Sequence, residues 1–163
     1  MGAVIAMCTH TRTRGFTIVE LVVAMTVMGL LLALAVPMYD TLVSNNRTRA
    51  AAYSLASALA FARDEAVKRN NTVSVVPLAG GWNTGWEVDT GGTTLATNDT
   101  ISELNLIGPV AGVSYMPNGR LSTPGTVLFT VSASDTGYTR CILIDPGGRA
   151  TLNPGERYDG SCV

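Results

Sequence analysis

Histidine is nearly absent from this chain, because the single one is His10, close to the N-terminus. A Ser-His-Asp triad, a proton relay through imidazole and most catalytic zinc sites need histidine in the folded domain. Neither a GxGxxG fingerprint nor a Walker P-loop is present. The adjacent acids Asp64 and Glu65 fit a solvated helix face better than an acid–base pair. The sequence therefore argues against an enzyme and predicts neither a cofactor nor a metal site.

Charged residues are also scarce, at 14% of 163 residues, with a formal net charge of −1. A mildly acidic chain is a poor generic nucleic-acid binder, because phosphate contacts need a positive surface. No charge occurs from Leu21 to Met38. A helix over residues 16–37 would be about 33 Å long, against a hydrocarbon core of about 30 Å. This segment can therefore span a bilayer.

The residues before the apolar run predict its orientation. Arg12 and Arg14 precede it, so the positive-inside rule places the N-terminus in the cytoplasm and the remainder outside. The cleavage site of a secretory signal follows the apolar region, but here the candidate site Gly15–Phe16 precedes it. Processing there would leave the span on the mature protein. The leader could start at Met1 or at Met7.

Cysteine is scarce and odd in number, with Cys8, Cys141 and Cys162. Cleavage after Gly15 removes Cys8 and leaves a pair that can form a disulfide in an oxidising compartment. The bridge would close a loop of roughly 20 residues and contribute about 3 kcal/mol in the chain-entropy model. The alternative is two free buried thiols.

Glu20 is the one charge within the apolar segment. A carboxylate deep in a bilayer costs about 2.5–3.5 kcal/mol. One interpretation places Glu20 near the interface, where it costs little. The interpretation that we favour pairs it with the amino group that cleavage would create on Phe16, in the same or a neighbouring subunit. Gly29 and Pro37 weaken the same helix, and Pro37 is expected to kink or locally open it, although both residue types are common in membrane helices.

Beyond the span, the chain stays helical in pattern to about residue 69, where Asn70-Asn71 ends the helix. After Thr72, short β-rich runs alternate with Gly, Pro, Asn and Asp turns, and such short links favour antiparallel pairing. Core packing is the favoured role of Trp82 and Trp86. The residues predicted to dock the helix on a sheet are Leu42, Tyr53, Leu55, Ala56, Leu59, Ala62 and Ala66. Strands are predicted at 72–78, 85–89, 101–107, 113–116, 126–131, 140–144 and 150–152.

The N-terminal segment resembles the class III signal and helix of type IV pilins and type II secretion pseudopilins. The matching residues are Gly15 before the cut, Phe16 after it, Glu20 as the fifth mature residue and Pro37 as the twenty-second. The resemblance implies that a prepilin peptidase cleaves after Gly15 and that Phe16 becomes N-methylated. It also implies that Glu20 is needed for assembly, together with the helix that carries Gly29 and Pro37.

The remainder resembles the GspH/FimT-type minor pilins and pseudopilins. Four stretches carry the resemblance: LAFARDEA at 59–66, GWNTGWEV at 81–88, YMPNGRL at 115–121 and CILIDPGGR at 141–149. It implies the α+β type IV pilin fold, a long N-terminal α-helix whose first half spans the membrane, packed on an antiparallel β-sheet domain. The divisions expected are a leader at 1–15, a transmembrane and assembly helix at 16–38, and a periplasmic globular domain at 39–163.

Some members of this family bind DNA through a C-terminal Gly-Arg-x-Arg motif. The matching stretch here is 148–151, in which Arg149 is present and Thr151 replaces the second arginine. Arg120, Arg140 and Arg157 are candidates to compensate, but four acidic residues share the region. We therefore favour solvated turn arginines over a DNA site.

The resemblance implies a minor pilin of a type IV pilus that primes the tip of the filament. It would sit in the inner membrane as a single-pass protein, then enter the filament through the assembly platform by packing against other pilins. Two alternatives stay open. One is a minor pseudopilin of type II secretion, and the other is a DNA-binding pilin-like receptor for natural transformation.

Overall fold

The computed structural model describes residues 15–99, 103–134, 138–153 and 162, with the backbone alone at 34–37. The chain divides into two compact units, and the division falls between Tyr39 and Asp40. The expected leader lies outside the described residues, apart from Gly15. So do Ile101, the first residue of the strand predicted at 101–107, and Arg157.

One long helix, α1 (Ile18–Arg69), contains 52 residues and continues through position 37. The local opening expected at Pro37 is therefore absent from its backbone. Asn70 ends the helix with a left-handed φ of 48°. The N–H of Asn71 donates to the carbonyl of Ala66 at 3.2 Å, and the N–H of Asn70 donates to that of Val67 at 3.3 Å. This Schellman arrangement confirms the predicted stop, since asparagine tolerates the left-handed region.

The first part of α1 is apolar on all sides, and its side chains from Ile18 to Ala33 are exposed. By length and composition this helix can cross a membrane. Its one hydroxyl, on Thr26, donates to the carbonyls of Val22 and Val23 at 3.1 and 2.8 Å. That polar group is therefore satisfied within the helix and needs no water.

The second part of α1 buries one face in the globular unit. The predicted positions Leu42 and Tyr53 are wrong, because these side chains are 59% and 63% exposed. Small residues dominate the buried face, so the helix backbone lies close to the sheets, and Leu55 and Leu59 are its two large side chains. The buried apolar and hydroxyl residues recur every three or four positions, namely Ser44, Thr48, Ala51, Ala52, Leu55, Leu59, Ala62 and Ala66.

Eight strands in the described residues form two four-stranded antiparallel sheets, with orders β3-β2-β1-β5 and β4-β6-β7-β8. All seven predicted strands are present within a few residues. The division into two sheets was not predicted. The strands are β1 (Val73–Pro77), β2 (Gly85–Thr90), β3 (Thr93–Asp99), β4 (Leu104–Ile107), β5 (Val113–Tyr115), β6 (Val127–Ala133), β7 (Thr139–Ile144) and β8 (Ala150–Asn153).

The strand missed by sequence reasoning is β3. It is an edge strand with mostly exposed residues, so it lacks the alternation of apolar side chains that marks a half-buried strand. It pairs with β2 across the Gly91-Gly92 turn. Pairing with a neighbour, rather than local pattern, decides its conformation.

A single core lies among α1 and the two sheets. Trp82 and Trp86 are both buried there, which confirms the predicted core packing. The ring of Trp82 meets Phe129 edge to face, with centroids 4.8 Å apart. Its Nε1 donates to the carbonyl of Pro109 at 2.9 Å. The short 3₁₀ turn before β2 is thereby tied to β6 of the second sheet.

Candidate functional site

The start of α1 is capped by the side chain of Thr17. Thr17 precedes the first helical residue, and its Oγ1 accepts the N–H of Glu20 at 3.2 Å. The same hydroxyl donates to Oε2 of Glu20 at 3.4 Å. A hydroxyl at this position satisfies one of the free N–H groups of the first turn and stabilises a helix by about 1 kcal/mol. The carboxylate of Glu20 thus lies at the positive end of the helix dipole, three residues after Thr17.

Next to this helix cap, the two residues that flank the predicted cleavage site are accessible. Gly15 and Phe16 are exposed and precede the helix. Gly29 lies on α1, and apart from its chain neighbours and the adjacent helix backbone no atom lies within 4 Å of the position that a Cβ would take there. The helix surface around Gly29 is therefore open to another molecule.

A second constellation, which sequence reasoning missed, centres on Arg63 of α1. Its Nε donates to the carbonyl of Gly119 at 2.9 Å, and its Nη2 donates to the carbonyl of Gly147 at 3.3 Å. These two carbonyls belong to the β5–β6 connection and to the turn between β7 and β8. One guanidinium therefore joins the helix to a turn from each sheet.

The two turns also touch each other. Gly119 and Gly148 both have positive φ, at 75° and 81°. A Cβ at Gly148 would collide with the carbonyl of Gly119 and would lie 3.2 Å from Cε1 of Tyr115. Glycine is thus required at 148 for conformation and for close approach. In the sequence, the motifs PNGR and PGGR mark the two turns. Nothing in the spacing of these motifs shows that the turns contact each other.

Tyr115 lies beneath these turns and is fully buried. In the described part of the chain, its hydroxyl oxygen has no hydrogen-bond partner. Burial raises the pKa of Tyr115 to about 12; the nearby Arg63 opposes the rise and Asp145 adds to it. The neutral phenol is therefore strongly favoured in the folded protein.

Replacing Tyr115 with phenylalanine is expected to raise the free energy of unfolding by about 1 kcal/mol at neutral pH, because it removes an unsatisfied buried hydroxyl. In the wild type, the folded-state pKa lies above the unfolded value of 10.0. Ionisation of Tyr115 therefore does not affect stability below pH 10 and lowers it as the pH rises from 10 toward 12, because the unfolded state loses its proton more readily than the folded state. Tyr115→Phe should show a smaller alkaline loss in denaturant titrations. The exposed Tyr53→Phe is the control, and equal profiles for wild type and Tyr115→Phe would contradict the assignment.

The three candidate DNA-contacting arginines within the described residues do not gather in one place. Arg120 and Arg149 are exposed on the two turns that Arg63 holds. Arg140 lies near the other end of β7, since Ile144 of that strand pairs with Ala150. The structure thus brings together the turns of Arg120 and Arg149 and leaves Arg140 apart.

Arg140 has a different environment. Its guanidinium carbon lies 5.4 Å from the ring centre of Tyr138, and that of Arg49 lies 5.5 Å from the same ring. Arg49 Nε also donates to the hydroxyl of Tyr138 at 2.9 Å. This cation–π cluster packs α1 against the start of β7, which is a structural role.

The predicted disulfide is present between Cys141 and Cys162, with the Cα atoms 5.7 Å apart. Cys141 is a buried residue of β7. The bridge therefore fastens residue 162, near the C-terminus, to the second sheet. Such a loop constrains the unfolded chain and contributes about 3 kcal/mol.

Glu65 is a buried carboxylate near the end of α1. Hydrogen bonds from Arg69 and Lys68 hold its pKa below the ordinary value. These cations also lie in the last turn, where they complement the helix dipole. Among the described residues, no group of three or more His, Cys, Asp or Glu side chains could hold a metal ion.

Comparisons with known proteins agree with this geometry. The family model described as type II transport protein GspH matches residues 51–148. The model of the prokaryotic N-terminal methylation motif matches residues 10–36. A search of curated proteins finds no match.

Two solved structures share the fold. The type IV minor pilin FimU of Pseudomonas aeruginosa is 26% identical with a TM-score of 0.60, and the match covers 67% of this chain and 90% of FimU. The minor pseudopilin EpsH of the Vibrio cholerae type 2 secretion system is 14% identical with a TM-score of 0.54, covering 68% and 99%. The second likeness concerns the fold alone.

A methylation-motif helix packed on antiparallel sheets defines a pilin-like protein, either a minor pilin or a pseudopilin. Within that class, the chain belongs to the GspH family, whose model matches more than half of it. Members of this class are structural subunits that assemble with other pilins, and the motif with its apolar helix indicates a membrane-anchored subunit.

Proposed function

We propose that this protein is a minor pilin of a type IV pilus. The observation that carries the proposal is the apolar stretch of α1 up to Ala33, which is exposed within the chain and begins with Thr17 capping the N–H of Glu20. The likeness to FimU, a type IV minor pilin, supports the choice of system. A surface this apolar needs lipid or protein around it.

The mechanism is a transfer of one helix between two environments. The inner membrane first covers the apolar stretch, with the globular unit on the periplasmic side. Prepilin peptidase cleaves between Gly15 and Phe16 and methylates Phe16. The assembly platform then moves the helix from lipid into a bundle of pilin helices, so apolar surface stays covered throughout. The transfer therefore needs little hydrophobic free energy.

Glu20 sets the register in this bundle. Its carboxylate becomes surrounded by apolar side chains, where an unpaired charge is costly. The amino group of a neighbouring Phe16 neutralises it at one axial position and at no other. The globular unit then makes lateral contacts, and we place the subunit in the complex that primes the fibre tip.

A pseudopilin of type II secretion is the second candidate. The GspH model and the shared fold of EpsH favour it. DNA uptake receives less support, because Arg140 lies apart from Arg120 and Arg149 and packs on Tyr138.

The test is a deletion in the native host, complemented with the wild-type chain. A minor pilin predicts loss of surface pili with normal secretion, and recovery of the chain in sheared filaments as a mature form that begins at methylated Phe16. Gly15→Leu should leave the leader attached, visible as unprocessed mass, and should not restore pili. Accumulation of secreted enzymes in the periplasm, with normal pili, would instead identify the pseudopilin.

A further inference from the structure

The globular unit has a groove between the second part of α1 and the edge strand β3. Its volume is about 330 Å³, which is at the lower end of small-ligand pockets. Ser57, Ala58 and Phe61 of α1 form one wall, Ala96 and Thr97 of β3 form the other, and Trp86 lies at the base. The Nδ2 of Asn98 donates to Oγ of Ser54 at 2.6 Å, which links the two walls. The groove is thus mostly apolar with a hydroxyl rim.

The adjoining edge is open for pairing. Among the residues that the structure describes, β3 is the outermost strand of its sheet and pairs with β2 alone. The register shifts between Val88 and Asp89, which leaves Leu95 as an extra residue. Beyond this bulge, residues 96–99 pair regularly with 85–88. This regular half of β3 contains no proline or lysine, the residues that commonly protect sheet edges.

The regular half of the edge and the groove coincide. Ala96, Thr97 and Asn98 belong to both. A strand added beside β3 would satisfy its outer N–H and C=O groups. Because side chains alternate along a strand, every second side chain of the added strand would face α1 and enter the groove.

Charge indicates which segment fits. No lysine, arginine or histidine occurs from residue 70 to 119, so all four strands of this sheet lack a cation. Glu87, Asp89 and Asp99 lie on the β2–β3 hairpin. Two of these carboxylates accept hydrogen bonds from neutral donors: Glu87 from the Thr94 hydroxyl, and Asp89 from the N–H of Gly92. The edge is therefore negative, and a basic partner complements it.

We propose that this edge and groove bind an extended segment of another protein, which carries a large apolar side chain flanked by lysine or arginine. The main chain of the segment extends the sheet at residues 96–99. Its apolar side chain enters the groove over Trp86, and its cations face Glu87 and Asp99. This contact is additional to packing through the first part of α1 and does not depend on it.

The test uses the full chain in detergent micelles and a labelled heptapeptide, Lys-Val-Thr-Leu-Thr-Val-Lys, followed by fluorescence anisotropy. Ala96→Phe fills the groove and should weaken binding about tenfold or more. Thr93→Phe, on the same strand but at the hairpin end and outside the groove, should leave it within about twofold. Asp99→Lys tests the charge without filling the groove and should also weaken binding, while the peptide with glutamate in place of lysine should bind less well to the wild type.

Three outcomes overturn the proposal. The first is no binding, or equal affinity for the basic and acidic peptides. The second is equal loss in Ala96→Phe and Thr93→Phe, with Asp99→Lys unchanged. The third is self-association of the chain that Ala96→Phe abolishes while the peptide does not bind, since the occupant is then a second copy. The proposal is supported if the basic peptide binds, if Ala96→Phe and Asp99→Lys weaken that binding, and if Thr93→Phe leaves it unchanged.

Discussion

Glu20→Ala is expected to abolish incorporation of this chain into filaments while its cleavage after Gly15 proceeds normally. The peptidase acts before the helix, whereas the carboxylate acts in the bundle, where it would neutralise the amino group of a neighbouring Phe16. Without Glu20, that amino group would be buried without a partner, which is strongly unfavourable. The measurement compares the mass of the chain in membranes, which reports cleavage, with the amount of the chain in sheared filaments, which reports assembly.

Two matched variants separate charge from helix capping. Glu20→Gln retains an oxygen that can accept a hydrogen bond from the Thr17 hydroxyl but removes the charge, so it should fail to assemble like the alanine variant. Thr17→Val removes the capping hydroxyl and keeps the charge, so it should lose about 1 kcal/mol of helix stability and still assemble. Normal incorporation of Glu20→Gln would refute the charge pairing and leave capping as the role of this residue.

Arg63→Ala should lower the free energy of unfolding of the globular unit by about 2–4 kcal/mol. The substitution removes two charge-assisted hydrogen bonds, to the carbonyls of Gly119 and Gly147. It also separates α1 from the two turns that cover buried Tyr115. Denaturant titration of the full chain in micelles gives the change directly, and limited proteolysis should show earlier cleavage near both turns.

The control for this experiment is Asp64→Ala, which alters the neighbouring exposed position of the same helix. It should change stability by no more than about 0.5 kcal/mol. Arg63→Lys should recover little, because a single ammonium lacks the planar fork that reaches both carbonyls. A loss of stability in Asp64→Ala equal to that in Arg63→Ala would show that the effect belongs to the helix surface rather than to the bridge.

The strength of local signals explains which elements the sequence could predict. Asn70-Asn71 stops α1 through backbone geometry that those residues alone provide. The seven predicted strands carry β-rich runs between glycine and proline turns. β3 carries no such run. Tyr53 lies one position from the buried Ala52 and was assigned to the docked face because of its bulk, whereas four other residues of the predicted face are buried, namely Leu55, Leu59, Ala62 and Ala66.

Part of the candidate site could likewise be predicted from local sequence, and part could not. The N-terminal residues from Gly15 to Glu20 are adjacent in sequence, so their pattern could be read directly. Arg63 lies 56 residues from Gly119 and 84 from Gly147, and no spacing rule connects such positions. The groove likewise needs the helix, β2 and β3 together.

The sequence by itself determined the apolar helix, its acidic residue, its end and most of the strands, because each depends on residues within one or two turns of one another. Only the tertiary structure decided that the strands form two sheets, that one arginine holds a turn from each, and that a cation-free edge borders an open groove. Those features arise from the packing of segments that are distant in sequence. The contacts between such segments depend on complementary shape and on the need of buried polar groups for hydrogen-bond partners.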